Sequence, residues 1–184
     1  MSSILENPSV SASALRLDVE QYHQLCESGI IPERTELLSG IIVEKMGKSP
    51  LHTWTVQFLS EWLQLALAEG QSVRVEQPIT LNGSEPEPDI AVVQGSRDDF
   101  IQRHPSTADL IVEVAISTVE IDREKAAIYA QAGILEYWLV QPNSRAVTVY
   151  REPTEETYAN VSAVAQLDFG NKSLAFEDLF PVKK

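Results

Sequence analysis

The stretch Leu110-Ile111-Val112-Glu113-Val114-Ala115-Ile116 constrains this chain more than any other. A nearly unbroken apolar run of this length reads as a strand buried within a sheet. Glu113 stands in its middle. A buried carboxylate without partners costs on the order of several kcal/mol, so the fold has to bring it company. The following segment offers it. A helix is expected from Asp122 until Gly133 stops it, and Ile121, Lys125, Ile128, Tyr129 and Ala132 share helical spacing. Lys125 then lies on or beside the inward stripe of a helix that folds back over the sheet, where its ammonium can reach the carboxylates beneath.

The remaining pattern surrounds this unit. A short helix is expected from Asp18 as N-cap to Glu27, ending near Gly29. Glu36 to Glu44 reads as a hairpin turning at Ser39-Gly40. A longer helix is capped by Ser49, opened by Pro50 and ended by Gly70. Its apolar stripe reads as Leu51, Trp54, Phe58, Trp62 and Leu65, with both tryptophans in the core. Strands are expected at Val73–Glu76, Ile79–Leu81 and Asp89–Val93, then at Glu136–Val140 and Ala146–Tyr150 across Pro142-Asn143-Ser144, with a last helical turn in Leu174–Pro181. Strands mixed with helices give an α/β or α+β sandwich. Residues 1–14 read as a flexible lead-in and 15–184 as one domain.

Composition narrows the function. At 43% hydrophobic and 22% charged, the 184 residues are those of an ordinary globular chain. No apolar run approaches the ~20 residues needed to cross a bilayer, and the N-terminus lacks the basic start and apolar core of a secretion signal. A single cysteine, Cys26, fits a reducing cytoplasm. The formal net charge of -13 is a poor global match to a polyanion, so any nucleic-acid reading must rest on local clustering.

Three ionisable groups carry the chemistry: Asp89 opening Asp-Ile-Ala-Val-Val after Pro88, Glu113 inside its strand, and Lys125. Two carboxylates on neighbouring strands suit a hard divalent cation such as Mg²⁺, which completes its octahedron with water and phosphate oxygens. Such an ion acidifies a bound water and stabilises charge at phosphorus, while a lysine positions the water or balances charge. The competing account needs no catalysis: Glu113 and Lys125 form a buried ion pair and Asp89 caps a strand end.

At this point the sequence resembles the Uma-type putative restriction-endonuclease family of the PD-(D/E)XK nuclease superfamily. The likeness rests on Pro88-Asp89, Glu113-Val114, Lys125 and the run from Tyr129 through Glu136-Tyr137-Trp138-Leu139-Val140, over roughly Val19 to Tyr150. It implies a restriction-endonuclease-like fold, a central mixed β-sheet flanked by helices. It further implies a Mg²⁺ (or Mn²⁺) site held by Asp89, Glu113 and the backbone carbonyl of Val114, with catalysis by Asp89, Glu113 and Lys125. In the superfamily the lysine usually stands two residues after the glutamate. Here that residue is Ala115, and Lys125 would be a lysine that has migrated to the helix. Glu36 and His52 match further family positions as additional metal-site candidates; an exposed hairpin carboxylate and a surface or capping histidine are their ordinary alternatives. Asp122 could join the pocket, although helix capping would explain it.

The expected activity is a Mg²⁺-dependent endodeoxyribonuclease, cytoplasmic, with DNA as substrate and a homodimer to cut both strands. Arg97, Arg103, Arg123, Lys45 and Lys48 are candidates for phosphate contacts. The alternative is a catalytically inactive nuclease scaffold that serves as a binding or oligomerisation module.

Overall fold

A computed structural model describes residues 7–32 and 34–180. The chain runs α1 (Pro8–Ser13), α2 (Val19–Glu27), β1 (Thr35–Leu38), β2 (Ile41–Glu44), α3 (Pro50–Gln64), β3 (Gln71–Val75), β4 (Ile90–Gln94), β5 (Leu110–Val114), α4 (Val119–Gln131), β6 (Glu136–Gln141), β7 (Ala146–Pro153), β8 (Tyr158–Val164), β9 (Gln166–Phe169), β10 (Lys172–Ala175) and α5 (Phe176–Leu179), with a 3₁₀ turn at Arg97–Phe100. The short helix α1 falls inside the segment expected to be a loose lead-in.

Six strands form one mixed sheet in the order β3-β4-β5-β6-β7-β8. Only β5 and β6 run parallel, and α4 makes the crossover that a parallel pair requires. The alternation of β5 decides the layers. Leu110, Val112 and Val114 face α3, packing with Val56, Leu59 and Leu63. Ile111 and Ala115 face α4, packing with Ala126, Tyr129 and Ala130. Glu113 shares this second face. The sheet is therefore covered on both sides, which is why β5 can be apolar throughout.

The β1–β2 hairpin turns at Ser39 (φ 49°) and Gly40 (φ 76°), the double positive φ of a tight two-residue hairpin turn. A Cβ on Gly40 would stand 2.5 Å from the Cβ of Arg16, so the glycine also permits close approach of the preceding chain. The hairpin is tied to the Leu81–Glu87 loop by a bridge between Leu37 and Glu85. This fixes Glu36 over the edge of the sheet.

Several expectations need correction. The apolar face of α3 is not the tryptophan stripe: the buried residues are His52, Thr55, Val56, Leu59 and Leu63. Trp54 is 40% exposed and Leu65 is 74% exposed, while Phe58 and Trp62 pack only at the margin of the core. This helix carries apolar residues almost all round, so spacing alone could not choose the face. It also ends at Gln64, where the Leu65 and Ala66 amides turn back to Trp62 and Leu63, rather than at Gly70. Ile79–Leu81 is not a sheet strand. Its amides donate to the carbonyls of Pro86, Pro105 and Ser84, amid prolines that cannot sustain a ladder. Helix α4 begins at Val119 with Thr118 as its N-cap position, so Asp122 is not the cap. The edge strand β8 was not anticipated, since it is mostly exposed and lacks an apolar period.

Candidate functional site

Asp89 and Glu113 meet because of register. β4 and β5 pair antiparallel with Ile90 opposite Val112, so the next residues outward are Asp89 and Glu113. The Asp89 amide donates to Glu113 Oε2 at 3.3 Å, and the Val114 amide donates to Asp89 Oδ2 at 2.7 Å. The two carboxylates are thus locked to each other's strands.

Lys125 arrives from α4, one and a half turns in. Its Nζ lies 3.0 Å from Glu113 Oε1, 3.0 Å from Glu36 Oε1 and 3.8 Å from Asp122 Oδ1. Glu36, Glu113, Asp122 and Lys125 are all buried, each 5% exposed or less. Tyr129, one turn further along α4, donates its hydroxyl to the same Glu113 Oε1 at 2.8 Å. Glu36 Oε2 accepts the Glu87 amide at 3.2 Å. Thr118 donates to Asp122 Oδ2 at 2.5 Å.

His52, in the first turn of α3, places Nε2 3.1 Å from Asp89 Oδ1, while its Nδ1 is buried without a hydrogen-bond partner among the described residues. One three-way convergence of potential ligands joins His52, Glu76 and Asp89, with donor atoms all within 4.8 Å of one another. Glu113 sits beside Asp89 but outside that group.

Glu36, His52, Asp89, Glu113, Asp122 and Lys125 line a pocket of about 190 Å³, bordered by residues 45–49 and the start of α4. Its electrostatics follow from crowding. Three buried acids (Glu36, Glu113, Asp122) share one buried ammonium, and Asp89 stands beside them against His52. Burial pushes the Glu113 carboxyl well above the usual carboxylate range; Lys125 offsets part of this, and Asp122, Asp89 and Glu36 add to it. Burial likewise raises Asp122, with Lys125 and the Thr118 hydroxyl pulling the other way. For Lys125, burial favours the neutral amine, but attraction to Glu113, Glu36 and Asp122 together wins and raises its pKa. The Tyr129 phenol is also driven well above its ordinary value by burial, with Glu113 adding to the effect. A donor set rich in oxygen, carrying more negative charge than one lysine can balance, suits a hard divalent cation.

The structure brings together the metal-site and catalytic candidates singled out from sequence. Asp89, Glu113 and Lys125 share one pocket, Val114 lines it, and Glu36 and His52 complete its walls. Two alternatives weighed for the outer members do not hold. Glu36 is buried against Lys125 rather than exposed on its hairpin, and His52 is turned in toward Asp89 rather than lying at the surface. Asp122 faces Lys125 instead of capping its helix. Of the proposed phosphate contacts, Lys45 and Lys48 line the pocket and the three arginines do not. Arg97 pairs with Asp98 and Arg123 with Glu120, both on the surface. Sequence reading missed Tyr129 as a partner of Glu113, although its position four residues after Lys125 puts both on one helical face. It missed Glu76 as well, for which the sequence gives no signal.

No curated protein matches the chain in sequence. A crystal structure of a putative nuclease belonging to DUF820 from Anabaena variabilis ATCC 29413 shares the fold, with a TM-score of 0.71 at 17% identity over 89% of this chain and 97% of that one. At that identity the likeness speaks to fold alone. Among the described residues no helix is long and apolar enough to cross a membrane. Residues 19–181 match the family described as "Uma2: Putative restriction endonuclease". With nearly the whole chain inside that match, the protein belongs to the Uma2 family of putative restriction endonucleases.

Proposed function

We propose that the protein is a divalent-metal-dependent nuclease that hydrolyses phosphodiester bonds of DNA in the pocket between β4, β5 and α4. The observation that carries this reading is the junction of Asp89 and Glu113 across the β4–β5 edge, with the Lys125 ammonium 3.0 Å from Glu113 in the same pocket. Asp89 and Glu113 would hold Mg²⁺ or Mn²⁺ with the Val114 carbonyl, and Glu36 and His52 would serve as further donors. When bound, the ion would act as a Lewis acid on the phosphoryl group and acidify a water.

The chain's own groups have separable tasks. Tyr129 and Lys125 both engage Glu113 Oε1, which fixes the carboxylate and leaves Oε2 toward Asp89. Lys125, surrounded by three carboxylates, acts as a donor that orients the attacking water and balances charge at phosphorus, rather than as a base. Ala115, where the lysine more often stands, is buried against α4, and Lys125 reaches the pocket from that helix instead. A single site of this kind cuts one strand at a time; paired cuts would take a second copy, as in a homodimer.

The test is cleavage of supercoiled plasmid and of single-stranded circular DNA with Mg²⁺ or Mn²⁺. Asp89→Asn and Glu113→Gln should each lower the rate about a hundredfold or more, and chelation should abolish it. Undiminished cutting by the Asp89→Ala, Glu113→Ala double variant, or none by the parent chain with either ion, would overturn the assignment.

A further inference from the structure

We infer that the strand presented to this pocket is single, held at about two phosphates by Lys45 and Lys48 on its rim. This rests on the nuclease reading of the pocket and goes beyond it by naming the form of the substrate.

The chain carries a formal -13, and a duplex presents one phosphate charge per ~1.7 Å of axis, so a duplex-binding face needs an extended basic surface. Among the described residues, the cations lining the pocket are Lys45, Lys48 and the buried Lys125. Lys125 is enclosed by Glu36, Glu113 and Asp122 and is only 5% exposed, so it cannot track a backbone outside the pocket.

Lys45 and Lys48 are different. They sit on the short segment between β2 and α3, partly open to solvent, and pair with Glu87 at 2.7 Å and Glu76 at 2.6 Å. Partly exposed pairs of this kind are weak, so an incoming phosphate can compete for each ammonium. Two residues, Met46 and Gly47, separate the two lysines, so their Cα atoms stand at most about 11 Å apart when extended, which allows contact with neighbouring phosphates of one strand but not with a broad double helix. The 15-residue α3 starts at the same rim, its N-terminal end favouring anions. Exposed Met46 and Ile121 also line the pocket and give an unpaired base an apolar surface to rest on, which a base stacked inside a duplex would not need.

Fluorescence anisotropy with a labelled 20-nucleotide single strand and its matching duplex tests this, in Ca²⁺, an ion of the same oxygen preference. The single strand should bind at least tenfold tighter. Its affinity should fall with a log–log salt slope of about -1.4, roughly sevenfold between 50 and 200 mM salt, as two single-strand contacts require. Lys45→Ala with Lys48→Ala should weaken binding at low salt and remove most of that slope. Equal or tighter duplex binding, or an unchanged slope in the double variant, overturns the inference. Those outcomes would leave the nuclease reading standing if metal-dependent cutting still requires Asp89 and Glu113. Lysine-dependent single-strand binding without any metal-dependent cutting would do the reverse.

Discussion

Lys125→Met removes the ammonium while keeping an unbranched apolar stem in the same space. Glu36, Glu113 and Asp122, now 3.0, 3.0 and 3.8 Å from the lysine nitrogen, would then share a buried site with no cation. At an effective dielectric of about 20, each 3.0 Å contact is worth about 5.5 kcal/mol before the desolvation of the ammonium is subtracted. Removing one member of a buried pair costs about 3–5 kcal/mol in practice, a large share of the roughly 5–15 kcal/mol that keeps a domain folded. In urea, with a slope near 2 kcal/mol/M, the midpoint at pH 8 should fall by about 1.5–2.5 M. Acidification should shrink the deficit. Glu113 and Asp122 already have folded pKa values above their ordinary ones, so between those ordinary values and the folded ones the folded state binds protons that the unfolded chain does not. Their linkage therefore adds stability as pH falls through the folded values and withdraws it as pH rises. Without the ammonium this linkage grows. An unchanged midpoint at pH 8, or a deficit that persists undiminished at pH 5, would refute the claim that Lys125 neutralises the site.

Metal should act in the opposite sense, because ligation needs ionised carboxylates: Mg²⁺ at a hundred times its Kd should stabilise the chain by about 2.7 kcal/mol near pH 8 and less at pH 5, with the effect lost in Asp89→Asn and Glu113→Gln, all measurable by thermal or urea unfolding. Tyr129→Phe deletes a 2.8 Å hydrogen bond to a buried carboxylate and should cost about 1.5–3 kcal/mol in urea unfolding while weakening Mg²⁺ affinity; unchanged affinity would mean that the phenol does not hold Glu113 for metal. On α3, Leu63→Ala should cost about 2–5 kcal/mol and Leu65→Ala less than about 0.5 kcal/mol, the reverse of what the tryptophan-stripe reading requires.

How much of this was legible in the sequence depended on whether one residue type settled the matter. Asp18, Ser49 and Pro50 marked helix starts because capping is local chemistry. Ser39-Gly40 marked its hairpin because few residues accept positive φ twice. The central contradiction, a glutamate inside an apolar strand, pointed to Lys125 because an unpartnered buried charge is too costly to keep. What stayed hidden was global. The buried face of α3 depended on which side the sheet covered, and β8 depended on β7 for its pairing. Glu36 was a candidate only through the family likeness, since its place over Lys125 depends on the Leu37–Glu85 bridge, and Glu76 joined His52 and Asp89 only through the pairing of β3 with β4.

A nuclease of this kind requires Asp89 and Glu113 to share one hard cation. A crystal equilibrated with Mn²⁺ and measured for anomalous scattering tests that directly. The expected result is a single strong peak bonded to a carboxylate oxygen of each residue at about 2.1 Å, within reach of the Val114 carbonyl. Scattering confined to surface carboxylates, with nothing between Asp89 and Glu113, would contradict it.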